Sequence, residues 1–303
     1  MIIYQEMKKI LVLGASGFLG RNFIANCVNI NDIELTCLTK QGSNTLIRNQ
    51  QINWLKGDLS DCYFSESLFD DSWDQIVNFY WEGLPIRNDS LNRINLERTK
   101  KIIDLIAKHG FFLNNIGSGL EFNPSINQID DNSQDFATDN FAITKREIHA
   151  YLREANIEFR WIRPFYLYGQ WQNSASLLAS IVMAHKNKNE VKFRNPNLVH
   201  DFISVLDFSQ ALIALIQSKN STGNFNIGSG VLTSVQAFAD AAHSALNGIE
   251  LKSKERVINY GICSSNLNMI QFHNWIPKFI GVEGVYQYVL KYRRELIDCF
   301  ITP

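Results

Sequence analysis

The chain has 303 residues, is 46% hydrophobic and 19% charged, and carries a formal net charge of −1. It can therefore bury a sizeable core, as one large domain or a domain with a smaller lobe. It offers no basic field for nucleic acid and no apolar run near the roughly 18 residues that a membrane span needs. Cys27, Cys37, Cys62, Cys263 and Cys299 are scattered and include no Cys-x-x-Cys, which fits thiols in a reducing cytoplasm rather than a disulfide framework. The histidines show no ligand spacing, so no metal is expected, and His149 and His185 are expected at helix surfaces or core edges. Met1 to Lys8 is too short for a signal peptide.

The first apolar run, Ile10 to Leu13, predicts a buried strand, and Arg21 to Asn26 predicts a helix. Between them stand Gly14, Gly17 and Gly20 in a Gly-x-x-Gly-x-x-Gly pattern. Gly14 would allow the tight turn, Gly17 the approach of a pyrophosphate, and Gly20 close packing of helix on sheet. The free amides of the helix N-terminus would face the anion, so the loop is expected to bind a dinucleotide. Ile33 to Leu38 reads as a second strand, ending at Thr39 and Lys40, where such folds read the adenosine ribose. An acidic residue there suits NAD, and a cation suits the 2′-phosphate of NADP. With Lys40 in place, Arg21 just after the glycine loop and no carboxylate nearby, NADP is expected over NAD.

Ile52 to Leu55 is a third strand, followed by Gly57-Asp58-Leu59, where Asp58 either meets the adenine or caps a helix. Gln75 to Phe79 is the fourth strand and leads into Tyr80-Trp81-Glu82-Gly83. A helix over 90–109 stops at Gly110, and Phe111 to Ile116 is the fifth strand, leading to Gly117-Ser118-Gly119. Ser125 to Asn140 reads as a surface loop, 141–154 as a helix, Phe159 to Arg163 as the sixth strand, and Phe225 to Ile227 as an isolated strand. This alternation predicts an α/β, doubly wound parallel sheet of Rossmann type with a smaller C-terminal α+β lobe. The expected division is 1–168 for the dinucleotide and 169–303 for the substrate, with segments near 200–228 returning to the main sheet. The loops carrying Gly14, Lys40, Asp58, Tyr80 and Ser118 should open on one edge.

These motifs in this order resemble the extended short-chain dehydrogenases/reductases, the branch of NAD(P)-dependent nucleotide-sugar epimerases, dehydratases and 4-ketoreductases. The resemblance rests on the glycine loop, Gly57-Asp58-Leu59, Asn95 and Thr99, Gly117-Ser118-Gly119-Leu120-Glu121-Phe122, and Phe141-x-x-x-Lys145. It continues through Arg163-Pro164-Phe165-Tyr166-Leu167-Tyr168-Gly169, His200-Asp201-Phe202, Phe225-Asn226-Ile227-Gly228 and Trp275-Ile276-Pro277. It implies that Gly14, Ser16, Gly17, Phe18, Leu19, Gly20, Thr39, Lys40, Asp58, Leu59, Tyr80 and Lys145 bind the cofactor. Trp81, Ser118, Tyr166 and His200 would bind a nucleotide-sugar substrate. Ser118 would hold the reacting sugar oxygen, and Lys145 the nicotinamide ribose.

The residue one helical turn before that lysine is a tyrosine in the family, where it serves as the general acid/base; here it is Phe141. A phenyl ring cannot move a proton. Three readings follow: an engineered trap, a displaced acid such as Tyr80 or Tyr166, or a cofactor-binding protein without turnover. A second departure is His200 where relatives carry an arginine that clamps phosphate; Arg194 or Arg87 could replace that cation. The resemblance implies a 4-ketoreductase of a CDP- or dTDP-4-keto-6-deoxyhexose in deoxysugar biosynthesis. The alternative is a 4-epimerase or dehydratase with tightly held NAD. A homodimer through the helices 90–109 and 141–154 is also implied.

Overall fold

The computed structural model describes residues 7–40, 52–61, 66–84, 86, 90–122, 128–133, 136, 138–218, 221–252, 258 and 260–300. Met1, Cys62, Arg87 and Ser125 lie outside the described residues. In chain order the elements are β1 (Lys8–Leu13), α1 (Phe18–Cys27), β2 (Ile33–Thr39), β3 (Ile52–Lys56), β4 (Gln75–Asn78), α2 (Leu91–His109) and β5 (Phe112–Ile116). A short 3₁₀ turn (Gly119–Glu121) precedes β6 (Gln128–Ile129), α3 (Asn140–Glu154), β7 (Phe159–Pro164), β8 (Tyr166–Tyr168), α4 (Leu177–Lys186) and β9 (Val199–Ser204). The remainder is α5 (Val205–Gln217), β10 (Gly223–Ile227), β11 (Leu232–Ser234), α6 (Val235–Asn247), β12 (Cys263–Ser264), α7 (Leu267–His273), α8 (Gly281–Lys291) and α9 (Arg293–Cys299). No helix among the described residues is long and apolar enough to cross a membrane.

The chain divides into two compact units, each drawn from several stretches: 1–117 with 137–162 and 215–224, and 118–136 with 163–214 and 225–303. The seven-stranded sheet has the order β10-β7-β5-β4-β1-β2-β3. Its pairs β1–β2, β2–β3, β1–β4, β4–β5 and β5–β7 are parallel. Strand order reverses between β1 and β4, the switch point outside which a doubly wound sheet binds ligands. The strands read as apolar runs because helices flank the sheet. Leu11, Leu13, Ile76, Leu113 and Trp161 share a core with Ile102, Ile103 and Ile106 of α2 and Ile148 and Leu152 of α3. Near the strand starts that core admits a polar layer in which Arg160 donates to Asn114 at 2.8 Å and to Gln75 at 3.1 Å.

In the second unit, β8, β9 and β11 form a three-stranded sheet and β6 pairs with β12. Tyr168, Phe202, Phe238, Leu178, Ile181 and Tyr288 form its core. Three sequence expectations need correction. Phe225 to Ile227 is not an isolated strand: it lies in β10, within the seven-stranded sheet. The stretch 125–140 is not all surface loop: Gln128–Ile129 is a strand, and Ile129 and Asp131 are buried. His149 is not at a surface; it is buried and stacked on Trp161 at 4.7 Å.

Candidate functional site

The glycine loop has the geometry its spacing predicts. Gly14 has φ +77°, and a Cβ there would stand 2.8 Å from the backbone nitrogen of Tyr80. A Cβ on Gly20 would stand 2.8 Å from the Cα of Ala15, so side chains are excluded where helix and loop meet. Gly17 is the N-cap of α1 and Ser16 precedes it, both exposed; Phe18 and Leu19 open the helix half-buried. Among the described residues no side chain caps this terminus, and no acidic residue stands in its first turn. The amides are thus left for an anion in a cradle that any Cβ would fill, which fits the pyrophosphate of a dinucleotide. Arg21 closes the loop by donating to the carbonyl of Ser16 at 2.8 Å.

At the ends of β2, β3 and β4 the chain gathers five polar side chains. Lys40 donates to Glu82 Oε1 at 2.7 Å and stands 3.3 Å from Asp58 Oδ2. The Tyr80 hydroxyl donates to Glu82 Oε1 at 2.8 Å, while Arg98 meets Glu82 Oε2 at 3.1 Å and also the Tyr80 hydroxyl. Asp58 accepts the Ser60 N–H at 2.9 Å, closing a turn, and that bond foremost keeps its carboxyl below the ordinary range. The Lys40 bond does the same for Glu82. Burial, then the Glu82 bond, pushes the Tyr80 phenol up to about 12. Thr39 and Leu59 are buried. Lys40, Asp58 and Tyr80 therefore come together as expected, with Gly14 against Tyr80. Sequence reading missed Glu82 and Arg98, which no local pattern links to Lys40.

Helix α3 begins at an Asp139 side chain that accepts the Ala142 N–H at 2.9 Å. That start places Phe141 and Lys145 one turn apart, both buried. Lys145 Nζ donates to the Ile116 carbonyl at 2.7 Å and lies 3.7 Å from the centre of the Trp81 ring, a cation–π contact. Phe141 meets Trp81 edge-on at 5.2 Å. Trp81 Nε1 is buried with no hydrogen-bond partner among the described residues. Phe141, packed on Trp81, thus stands at the position where the resemblance leads one to expect a tyrosine.

In the second unit, Ser118 is buried and caps the 3₁₀ turn. Its Oγ accepts from the Leu120 N–H at 3.1 Å, which leaves its proton to offer to a ligand oxygen. Its own N–H donates to Glu121 Oε1 at 2.6 Å, and Glu121 Oε2 accepts from Arg163 at 2.9 Å. The Ser-x-x-Glu spacing was the available signal for Glu121. Tyr166, 43% exposed, stacks on His200 at 4.1 Å, so these two are brought together. Arg194 is exposed.

A sequence profile of the NAD dependent epimerase/dehydratase family matches residues 10–228. A Methanocaldococcus jannaschii protein described as a "Putative UDP-glucose 4-epimerase" is 25% identical over 250 residues, 76% of this chain and 80% of that one. Among solved structures, the Bordetella bronchiseptica enzyme WbmG in complex with NAD superposes with a TM-score of 0.77 at 16% identity, over 99% of this chain and 98% of that one. The dTDP-glucose 4,6-dehydratase of Bacillus anthracis in complex with NAD does so at 0.79 and 17% identity, over 95% and 97%. The UDP-glucose 4-epimerase of Thermotoga maritima with UDP-glucose gives 0.78 at 16%, over 95% and 99%. These likenesses share the fold, and none of them lends support to NADP. The glycine cradle at the switch point, the ordered motifs and the profile match lead to one conclusion: this chain belongs to the NAD dependent epimerase/dehydratase family.

Proposed function

We propose that this protein is an NAD-dependent oxidoreductase of a nucleoside-diphosphate sugar that reduces a 4-keto group. The observation that carries the direction is Phe141, buried against Trp81 beside a retained Lys145. Oxidising an alcohol needs a base to take its proton, whereas an alkoxide formed by reduction can take a proton from water. Losing the tyrosine therefore handicaps a reductase less than an epimerase, which must do both. NADH, when bound, would supply the hydride. Ser118 would donate its proton in a hydrogen bond to the carbonyl oxygen and so favour the developing alkoxide. Lys145, fixed by the Ile116 carbonyl, would hold the nicotinamide ribose. Tyr80 is a poor stand-in acid, because its hydroxyl is bonded to Glu82 and Arg98 and its pKa is raised. Tyr166 and His200 line the sugar nucleotide in this reading.

NAD is chosen over the NADP expected from Lys40, because Lys40 is already paired with Glu82 and Asp58 and because the B. bronchiseptica and B. anthracis structures cited above hold NAD. A homodimer through α2 and α3 belongs to the same reading, supported by Ile94 and Ile143 at 42% and 38% exposure on those helices. The test is to follow NADH oxidation with CDP- and dTDP-4-keto-6-deoxyglucose by the wild type and by Phe141→Tyr. A restored phenol beside Lys145 is expected to raise the rate by about 10²-fold or more. Absence of turnover in both proteins, with dinucleotide bound, would end the reductase reading.

A second reading, a 4-epimerase, is favoured by the name of the M. jannaschii relative. It predicts stoichiometric NAD released on denaturing the purified protein, whereas a reductase releases little.

A further inference from the structure

We infer that Glu82, delivered from the loop after β4, sets the dinucleotide preference of this chain by doing at the adenosine ribose what an acidic residue at the end of β2 does elsewhere. The inference rests on the proposed binding of NAD and names the residue that selects it.

Lys40 follows the last residue of β2, the place from which a doubly wound sheet reads the ribose 2′-position. Taken alone it would invite a 2′-phosphate. It is not alone: Glu82 Oε1 lies at 2.7 Å and Asp58 Oδ2 at 3.3 Å from its ammonium. With Arg98 on Glu82 Oε2, the group holds two cations and two carboxylates, a net charge of zero. A phosphate monoester brings a charge of about −1.5 to −2 at neutral pH and would have to displace a carboxylate from Lys40. A ribose hydroxyl needs only an acceptor, and a carboxylate supplies one without rearrangement.

Glu82 is also built into its position. The Asn95 side chain, fully buried in α2, accepts the Glu82 N–H at 3.0 Å and donates to the Glu82 carbonyl at 2.8 Å. Arg98, one turn further along α2, holds one carboxylate oxygen while Tyr80 and Lys40 hold the other. Backbone and side chain are both fixed, as a specificity determinant requires and a solvated surface glutamate does not.

The test measures equilibrium binding of NAD and of NADP to the purified protein by calorimetry, with no turnover required. Wild type is expected to bind NAD more tightly. Glu82→Gln keeps the size of the side chain and leaves the group with a net positive charge. It is expected to shift the ratio of the two affinities toward NADP by about tenfold or more, equivalent to about 1.4 kcal/mol. Adding Lys40→Ala to Glu82→Gln should cancel the gain, since the freed ammonium is what would meet the phosphate. Matching melting temperatures check that each variant is folded, and Glu82→Asp, which keeps the charge, should stay on the NAD side. An unchanged ratio in Glu82→Gln, or a wild type that prefers NADP, overturns the inference while leaving dinucleotide binding intact. Failure of every protein to bind either dinucleotide overturns the cofactor reading itself, and the inference with it.

Discussion

Glu121 and Arg163 meet at 2.9 Å with 0% and 2% of their side chains exposed, whereas Lys40 and Glu82 meet at 2.7 Å with 47% and 31% exposed. The bonds are alike in length, yet their surroundings give them different work. In the first pair both charges have left water, so each depends on the other: Glu121 spends its second oxygen on the Ser118 N–H, and the Arg163 guanidinium lies over the Phe122 ring at 4.9 Å. In the second pair water still screens both charges. Its contribution to folding is small, and its groups stay within reach of a ligand. Buried, an ion pair becomes part of the framework; half-exposed at a sheet edge, it can serve selection.

The sharpest way to break this comparison is to remove one partner of the buried pair. Glu121→Ala leaves Arg163 without its buried ion-pair partner and should cost about 3–5 kcal/mol in denaturant unfolding. Replacing both residues with apolar ones of similar volume should recover most of that loss; no recovery would mean that Glu121 acts chiefly through the Ser118 N–H. A smaller effect is expected at the glycine cradle. Gly14→Ala forces a Cβ into the left-handed region and against Tyr80, costing on the order of 1–2 kcal/mol in thermal unfolding and weakening dinucleotide binding.

The smallest effect belongs to the exposed pair. Glu82→Gln should change stability at neutral pH by less than about 1 kcal/mol, and salt should erase the difference. Its pH dependence has a defined sign. The Lys40 bond lowers the Glu82 carboxyl, so the contribution is complete above the unfolded value of about 4.3 and is lost as pH falls through the lower folded-state value. Unfolding curves of wild type and Glu82→Gln should therefore converge in acid. A difference that grows in acid would contradict the assignment.

Most strands of the main sheet were legible as short, largely apolar runs closed by a turn, as in Ile10 to Leu13, and the glycine spacing forecast the cradle; β10 read as an isolated strand because its partner β7 lies some sixty residues earlier. What escaped was set by distance along the chain. His149 is buried because Trp161 stacks on it, and no helical periodicity reports a partner on a later strand. β6 is two residues long and exists because β12 lies beside it, more than a hundred residues onward. Lys40 looked like a free cation because both carboxylates that meet it come from other strands' loops. The Ser-x-x-Glu box at Ser118 was visible locally, but the pairing of Glu121 with Arg163 was not.

The Asn95 side chain binds the N–H and the C=O of Glu82 as a neighbouring strand would, so one amide acts as a miniature sheet edge for a single residue. The carboxylate is therefore registered to α2 rather than to the length of the connection that leads into that helix. Beyond Gly83 the connection can gain or lose residues without displacing the group that faces Lys40. Loop length and the position of that carboxylate become separable, and a designer can vary one while leaving the other alone.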